Sequence, residues 1–194
     1  MKKIATTEVP INDLIAERWS PRAFDSNHVI TEDSIKSLFE AARWAPSCYG
    51  DQPWQFVLFK KEDATSWASV LNCLSVGNQN WAMDASILIV VCANQNFNHN
   101  NEPNRWAHYD SGAAAENICL QATSIGLSAH QMGGFDQEKI RNLSSVPTKF
   151  DILACMVVGK SLDESKLSKV QKDKEAQVRS RKLLKDIYFI NEWK

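Results

Sequence analysis

The stretch Ser86-Ile-Leu-Ile-Val-Val-Cys92 reads as a strand with almost no polar position. A strand wetted on one face alternates apolar and polar residues, so this one needs cover on both faces and belongs inside a sheet. Two further strong strands fit beside it, Trp54 to Lys60 and Phe150 to Gly159, with a shorter one from Ser128 to Met132 stopped by Gly133-Gly134. Between them the apolar spacing turns helical. Ile11, Leu14 and Ile15 predict a short helix ending near Arg18. Thr31 is a good N-cap, Glu32 and Asp33 suit a helix start, and Ile35, Leu38, Phe39 and Ala42 carry that helix to about Trp44. Lys61 to Leu74 predicts a helix with Ala64, Trp67, Ala68 and Leu71 on its apolar face. Trp106 to Gly126 predicts a long buried helix rich in small residues, Ala113, Ala114, Ala115 and Ala122 among them. Asp136 caps a short helix through Leu143, and a polar helix is expected within Val170 to Val178.

At 194 residues the chain suits one domain, or one half of an intertwined dimer. Its apolar and charged fractions, 44% and 23%, are ordinary for a globular protein. A net charge of -1 argues against broad electrostatic binding to nucleic acid or anionic lipid. The charge is uneven. Lys160 to Lys194 holds ten Lys or Arg against six Asp or Glu, a balance of +4, so the remainder stands at -5. Five cysteines are dispersed without the spacing of a zinc or redox motif, as in a reducing cytosol. Cys92, Cys119 and Cys155 sit in apolar runs and are expected to be buried; Cys48 lies in a loop. His99 and His108 have no metal-ligand partner at a convincing spacing, so no metal site is expected. No signal peptide is visible, and the longest apolar run, Ile87 to Ala93, is too short to cross a bilayer, which makes a cytoplasmic setting the expectation.

Four segments carry polar chemistry. In Arg18-Trp19-Ser20-Pro21-Arg22, Pro21 forces an extended path, which sets Arg18, Ser20 and Arg22 on one side as a grip for an anion. Arg179-Ser180-Arg181 repeats the device near the other end of the chain. Between Trp44 and Phe56 two prolines and a glycine pin a stiff loop of small polar residues, Ser47, Cys48 and Gly50, against which a planar ligand could lie. Gly133-Gly134 frees backbone amides for close approach. Two paired-arginine segments suit one phosphate dianion, and the loop and glycine pair suit a flat polar ring. Neither a P-loop nor a Gly-x-Gly-x-x-Gly fingerprint is present, so the nucleotide-like cofactor suggested is not held in Walker or Rossmann fashion.

Taken with Asn78 and Phe135-Asp136, these segments resemble the nitroreductase family of FMN-dependent oxidoreductases, over nearly the whole chain. The resemblance implies an α+β sandwich, a mostly antiparallel sheet flanked by helices, as a single domain over residues 1–194. It implies a homodimer with FMN at the interface, and a C-terminal extension, about 161–194, exchanged with the partner. That would bury the apolar run Lys182 to Trp193, a liability if it hung free. Arg18, Trp19, Ser20, Arg22, Arg179 and Arg181 would surround the phosphate and ribityl chain. Pro46, Ser47, Cys48 and Gly50 would come from the second subunit against the ring. Asn78 would bond the pyrimidine edge, and Gly133 and Gly134 would bring an amide to flavin N5. Two departures stand out: Gly50 where the family usually has Asn, and Trp81 where many members carry Lys or Arg. The activity implied is a two-step cycle. NADH or NADPH passes hydride to N5, and a small acceptor, nitroaromatic or quinone, then takes the electrons. No side chain serves as a catalytic nucleophile. A flavin-dependent dehydrogenase, dehalogenase or oxidase on the same fold stays open, as do a non-catalytic flavin-binding protein and a cofactor-free interaction domain.

Overall fold

The sequence's apolar run becomes the second strand of a four-stranded antiparallel sheet in the computed structural model, which describes residues 3–193. In chain order the elements are α1 (Asp13–Glu17), α2 (Glu32–Arg43), β1 (Trp54–Lys60), α3 (Ala64–Leu71), α4 (Val76–Ala82) and β2 (Ile87–Asn94). Then come α5 (Ala107–Ser124), β3 (Ser128–Met132), α6 (Gln137–Ser144), β4 (Phe150–Gly159) and α7 (Lys169–Glu175). The sheet order is β1-β2-β4-β3, so β2 and β4 are central and β1 and β3 are the edges. All eight residues of β2 are buried, as its composition requires.

The period-two alternation of the central strands divides the interior into two cores. Ile87, Ile89 and Val91 point to one side with Met156 and Val158, beneath α2 and α5. Leu88, Val90 and Cys92 point to the other with Cys155 and Val157, beneath Trp67, Leu74 and Ile140. A bulge interrupts the β2–β4 ladder: Val91 faces Ala154, Cys92 faces Ile152, and Leu153 is the extra residue. Leu153 and Ala154 consequently pack on the same core.

Thr31 caps α2 as expected, its side chain accepting from the Ser34 N–H. The small face of α5 lets α2 approach closely, and the pair is stitched by Asn117 Nδ2 donating to the Ala41 carbonyl at 2.9 Å. The expected face of α3 needs correction. Asp63 caps the helix, so it starts at Ala64; Trp67 is buried and Leu71 half-buried against the core as expected, but Val70 joins them while Ala64 and Ala68 are exposed. Bulk decides that face, because an alanine contributes little area to either choice. The helix α4 follows it, with no apolar period to announce it.

The C-terminal segment runs back along the N-terminal one. Lys3 Nζ donates to the Gln177 carbonyl at 2.7 Å, and the Leu184 N–H donates to Glu8 Oε1 at 2.9 Å. Beyond it Leu183, Ile187, Tyr188, Ile190 and Trp193 are exposed.

Candidate active site

The two arginine segments meet. Arg179 donates through Nη1 to the carbonyls of Lys3 and Ala16, the latter at 2.9 Å, and through Nη2 to the Arg18 carbonyl at 2.9 Å. The Ala16 carbonyl at the end of α1, which also accepts the Ala5 N–H at 2.9 Å, thus gains a charged donor. Burial first, and then the charges of Arg18 and Arg181, pull the Arg179 guanidinium below its ordinary value. Arg18 Nη1 reaches Ser20 Oγ at 3.4 Å, and its Nε lies 3.4 Å from Glu116 Oε1. The guanidinium groups of Arg22 and Arg181 have no carboxylate partner among the described residues. Lys3 lies over the Trp19 ring, 5.0 Å from its centroid.

Two groups that sequence reasoning missed, Glu175 buried and His130 half-buried, shape the turn between these arginines. Glu175, at the end of α7, accepts the Arg22 N–H at 2.7 Å and so ties the tail to the turn. His130 on β3 has Nδ1 2.8 Å from the Pro21 carbonyl oxygen; a carbonyl only accepts, so Nδ1 carries the proton. Burial holds His130 below the usual histidine value, against a raising contribution from Pro21 and with Arg22 and Arg18 adding to the depression. Trp81 covers this imidazole at 4.4 Å between centroids and stacks on Phe24 at 6.3 Å. The position at which the resemblance leads one to expect a cation holds an indole resting on an imidazole.

Trp81 belongs to α4, whose first turn meets the glycine pair. The Gly134 carbonyl accepts from the Ser75 N–H at 2.9 Å and from Asn78 Nδ2 at 3.0 Å. A Cβ on Gly134 would stand 2.8 Å from Ser75 Oγ and 2.9 Å from Asn78 Nδ2, so a side chain here would push those two polar groups aside. Its own N–H donates to no described residue, and Asn78 spends its amide donor on the backbone, leaving Oδ1 to accept. Gly133 has open space around it.

The loop Pro46, Ser47, Cys48 and Gly50 lies elsewhere. It enters β1, while Gly133 and Gly134 leave β3, on the opposite edge of the sheet. Three strand spacings separate the edges, about 14 Å. The loop is built by buried acids that sequence reasoning also missed. Asp110, 4% exposed in the first turn of α5, accepts the Cys48 N–H through Oδ2 at 2.9 Å. Ser47 Oγ accepts the Gln52 N–H at 3.0 Å. Gln52, before Pro53, avoids the helical region by taking φ 51°, and Tyr49 and Gly50 stand at φ 55° and 66°. Asn is one of the residues that tolerate that region, so Gly50 and the Asn usual in the family can share one backbone. Asp51, its side chain 2% exposed, seats the loop before α5 by accepting the Asn98 N–H at 2.8 Å.

Among the five free thiols only Cys48 escapes burial, which pushes Cys119 and Cys155 up to about 12 and Cys92 up to about 11. His99 and His108 are both exposed and each meets a carboxylate: His108 Nε2 lies 2.7 Å from Asp151 Oδ2, and His99 Nδ1 3.9 Å from Asp51 Oδ1.

An antiparallel sheet lies between helical layers, and arginines from both ends of the chain meet at one side of it. The nitroreductase family model matches residues 15–160, and the chain belongs to the nitroreductase family. Among its relatives, protein DrgA of Synechocystis is 27% identical, with 79% of this chain and 85% of DrgA covered. The oxygen-insensitive NADPH nitroreductase of Helicobacter acinonychis is 27% identical, with 78% and 88% covered. A solved oxidoreductase described as containing FMN superposes with a TM-score of 0.88 at 33% identity, covering 97% of this chain and 96% of that one.

Proposed function

We propose that this chain is an FMN-dependent oxidoreductase that draws electrons from NADH or NADPH. It passes them to nitroaromatic, quinone or similar small acceptors in two alternating half-reactions. The observation that carries the reading is the meeting of Arg18 and Arg179, with the Arg22 and Arg181 guanidinium groups finding no carboxylate among the described residues. Like charges gathered this way favour a phosphate dianion as their counter-charge. A solved relative that contains FMN and a relative named as an NADPH nitroreductase support the same choice.

The residues present fit the cofactor. Arg18, Ser20, Arg22, Arg179 and Arg181 would hold its phosphate and ribityl chain, with Trp19 flanking them. The free Gly134 N–H and Asn78 Oδ1 would hold the ring, and Gly133 leaves room above it. When bound, FMN supplies a ring that accepts hydride from a nicotinamide and yields electrons to an acceptor. The chain's part is to position both reactants and to offer backbone donors, not a covalent nucleophile. Pro46, Ser47, Cys48 and Gly50 sit too far across their own sheet to close this site, which favours a second copy as their user. We infer a single domain, 1–194, working as a homodimer with FMN at the interface and residues 161–194 wrapping the partner. The exposed Leu183, Ile187, Tyr188, Ile190 and Trp193 are the surface such wrapping would cover. Free thiols suit a cytoplasmic setting. No helix among the described residues is long and apolar enough to cross a membrane.

The test is the visible spectrum of the purified protein, followed by anaerobic addition of each nicotinamide. A flavin band bleached by NADH or NADPH is expected. A colourless protein that leaves added FMN fluorescent sinks the reading, and a flavin reduced only by an organic substrate shifts it to a dehydrogenase or oxidase.

A further inference from the structure

We propose that Tyr49, Phe97 and His99 form an aromatic wall that selects planar ring acceptors, making them specificity-determining residues of the site. The inference rests on the oxidoreductase reading above and goes beyond it in naming side chains that sort acceptors.

Tyr49 adopts φ 55° and ψ 17°, a left-handed conformation unfavourable for a bulky L-residue. Burial does not compensate it, because the residue is 85% exposed. Its ring instead meets two others edge-on, Phe97 at 5.9 Å and 74° and His99 at 5.7 Å and 65°, and these two lie 5.2 Å apart. Three aromatic rings thus stand together at the surface, brought from two separate loops.

The loop carrying Phe97 and His99 is held firmly. Asp51 accepts from Asn98 N–H, from Asn98 Nδ2 at 3.4 Å and from Asn104 Nδ2 at 3.5 Å, and the Phe97 N–H donates to the Glu102 carbonyl at 2.8 Å. Tyr49, Gly50, Asp51, Asn98 and His99 bound an open cavity of about 520 Å³. Small-molecule sites span about 300–1,000 Å³. Gly50 also borders the adjoining cleft lined by Pro46 and Ser47. The wall therefore continues the loop that would lie against the ring. Its one carboxylate is committed to amide donors, so what it presents is an aromatic face. A flat aromatic ring gains from such a face by edge-on or offset stacking, and a compact hydrated inorganic oxidant gains nothing.

The experiment reduces the holoprotein with dithionite and mixes it anaerobically with a naphthoquinone or with ferricyanide. The proteins compared are wild type, Tyr49→Gly and Phe97→Ala. Each variant should slow oxidation by the naphthoquinone about five- to tenfold, the size of a lost aromatic pair. Oxidation by ferricyanide should change less than about twofold under the same argument. Tyr49→Gly relieves the left-handed backbone, so its Tm should not fall; a purely structural ring would lower Tm instead. Equal slowing with both oxidants, or no slowing with either, overturns the proposal. Dithionite bypasses NAD(P)H, so a failure with nicotinamide counts against the function and not against the wall. Were the protein to hold no flavin at all, the function would fail, and the wall would be judged by NMR. The proton signals of 2-naphthol should broaden with the wild-type apoprotein and stay sharp with Tyr49→Gly; sharp signals with both overturn it.

Discussion

At the β3 edge of the sheet positive charge is gathered and left open; at the β1 edge negative charge is gathered and sealed. Arg18, Arg22, Arg179 and Arg181 collect where only some of their donors find carbonyls, and Arg22 and Arg181 meet no carboxylate among the described residues. Asp51 and Asp110 collect under two loops where backbone and amide N–H groups surround them. The first arrangement stores an electrostatic demand that a dianion would meet. The second stores none, so the loops above it are tied down by hydrogen bonds and carry the Tyr49, Phe97 and His99 rings. One chain therefore holds two unlike half-sites, one suited to a phosphate and one to an aromatic ring.

The strongest way to break that contrast is to remove the open charge. Arg179→Ala with Arg181→Ala should weaken FMN binding at least a hundredfold, since charge-assisted bonds contribute about 1.5–3 kcal/mol each. Riboflavin, which lacks the phosphate, should bind the variant and the wild type alike. Fluorescence-quenching titrations with both ligands decide it, and an equal loss for riboflavin would reduce the arginines to props for the chain termini.

Removing a sealed charge should act on stability instead. Asp51→Ala takes the acceptor from the Asn98 N–H and from Asn104 Nδ2, while Asn98 Nδ2 keeps the residue-51 carbonyl at 3.0 Å; the loss should be about 1–2 kcal/mol. Denaturant unfolding measures it. Asp51→Asn should recover part of the loss, because an amide oxygen still accepts. A variant as stable as wild type would mean that the loop before α5 holds itself.

The two half-sites were not equally legible in the sequence. The arginine segments, the proline-pinned loop and the glycine pair announce themselves by local chemistry, and each stands where its residues suggested a turn or an extended path. The strands Trp54–Lys60, Ser128–Met132 and Phe150–Gly159 match their apolar runs residue for residue. Asp51, Asp110, Glu175 and His130 gave no warning. A lone acid or histidine looks the same in sequence whether it ends in water or beneath a loop, and its burial is settled by partners far along the chain. The apolar face of α3 went partly astray for a related reason: its alanines fit either side, and only Trp67, Val70 and Leu71 have bulk enough to choose.

His130 supplies the finest probe, because it sits between the open charges and the aromatic rings. Its pKa is lowered in the folded protein by burial, with the charges of Arg22 and Arg18 pushing the same way and the Pro21 and Ser20 carbonyls opposing. The unfolded chain then binds the proton more readily than the folded one. The stability this residue contributes is fully present above its unfolded value, near 6.5, and is lost as pH falls from there through the lower folded value. A bound phosphate would sit among the same arginines and offset their repulsion of an imidazolium, so FMN should shrink this acid loss. Thermal unfolding followed downward from neutral pH, with and without FMN, should show the loss in wild type and a flatter profile in His130→Gln, whose amide can still donate to Pro21. Should wild type and variant run parallel across that window, His130 is not the group that senses pH, and the two half-sites are electrostatically independent.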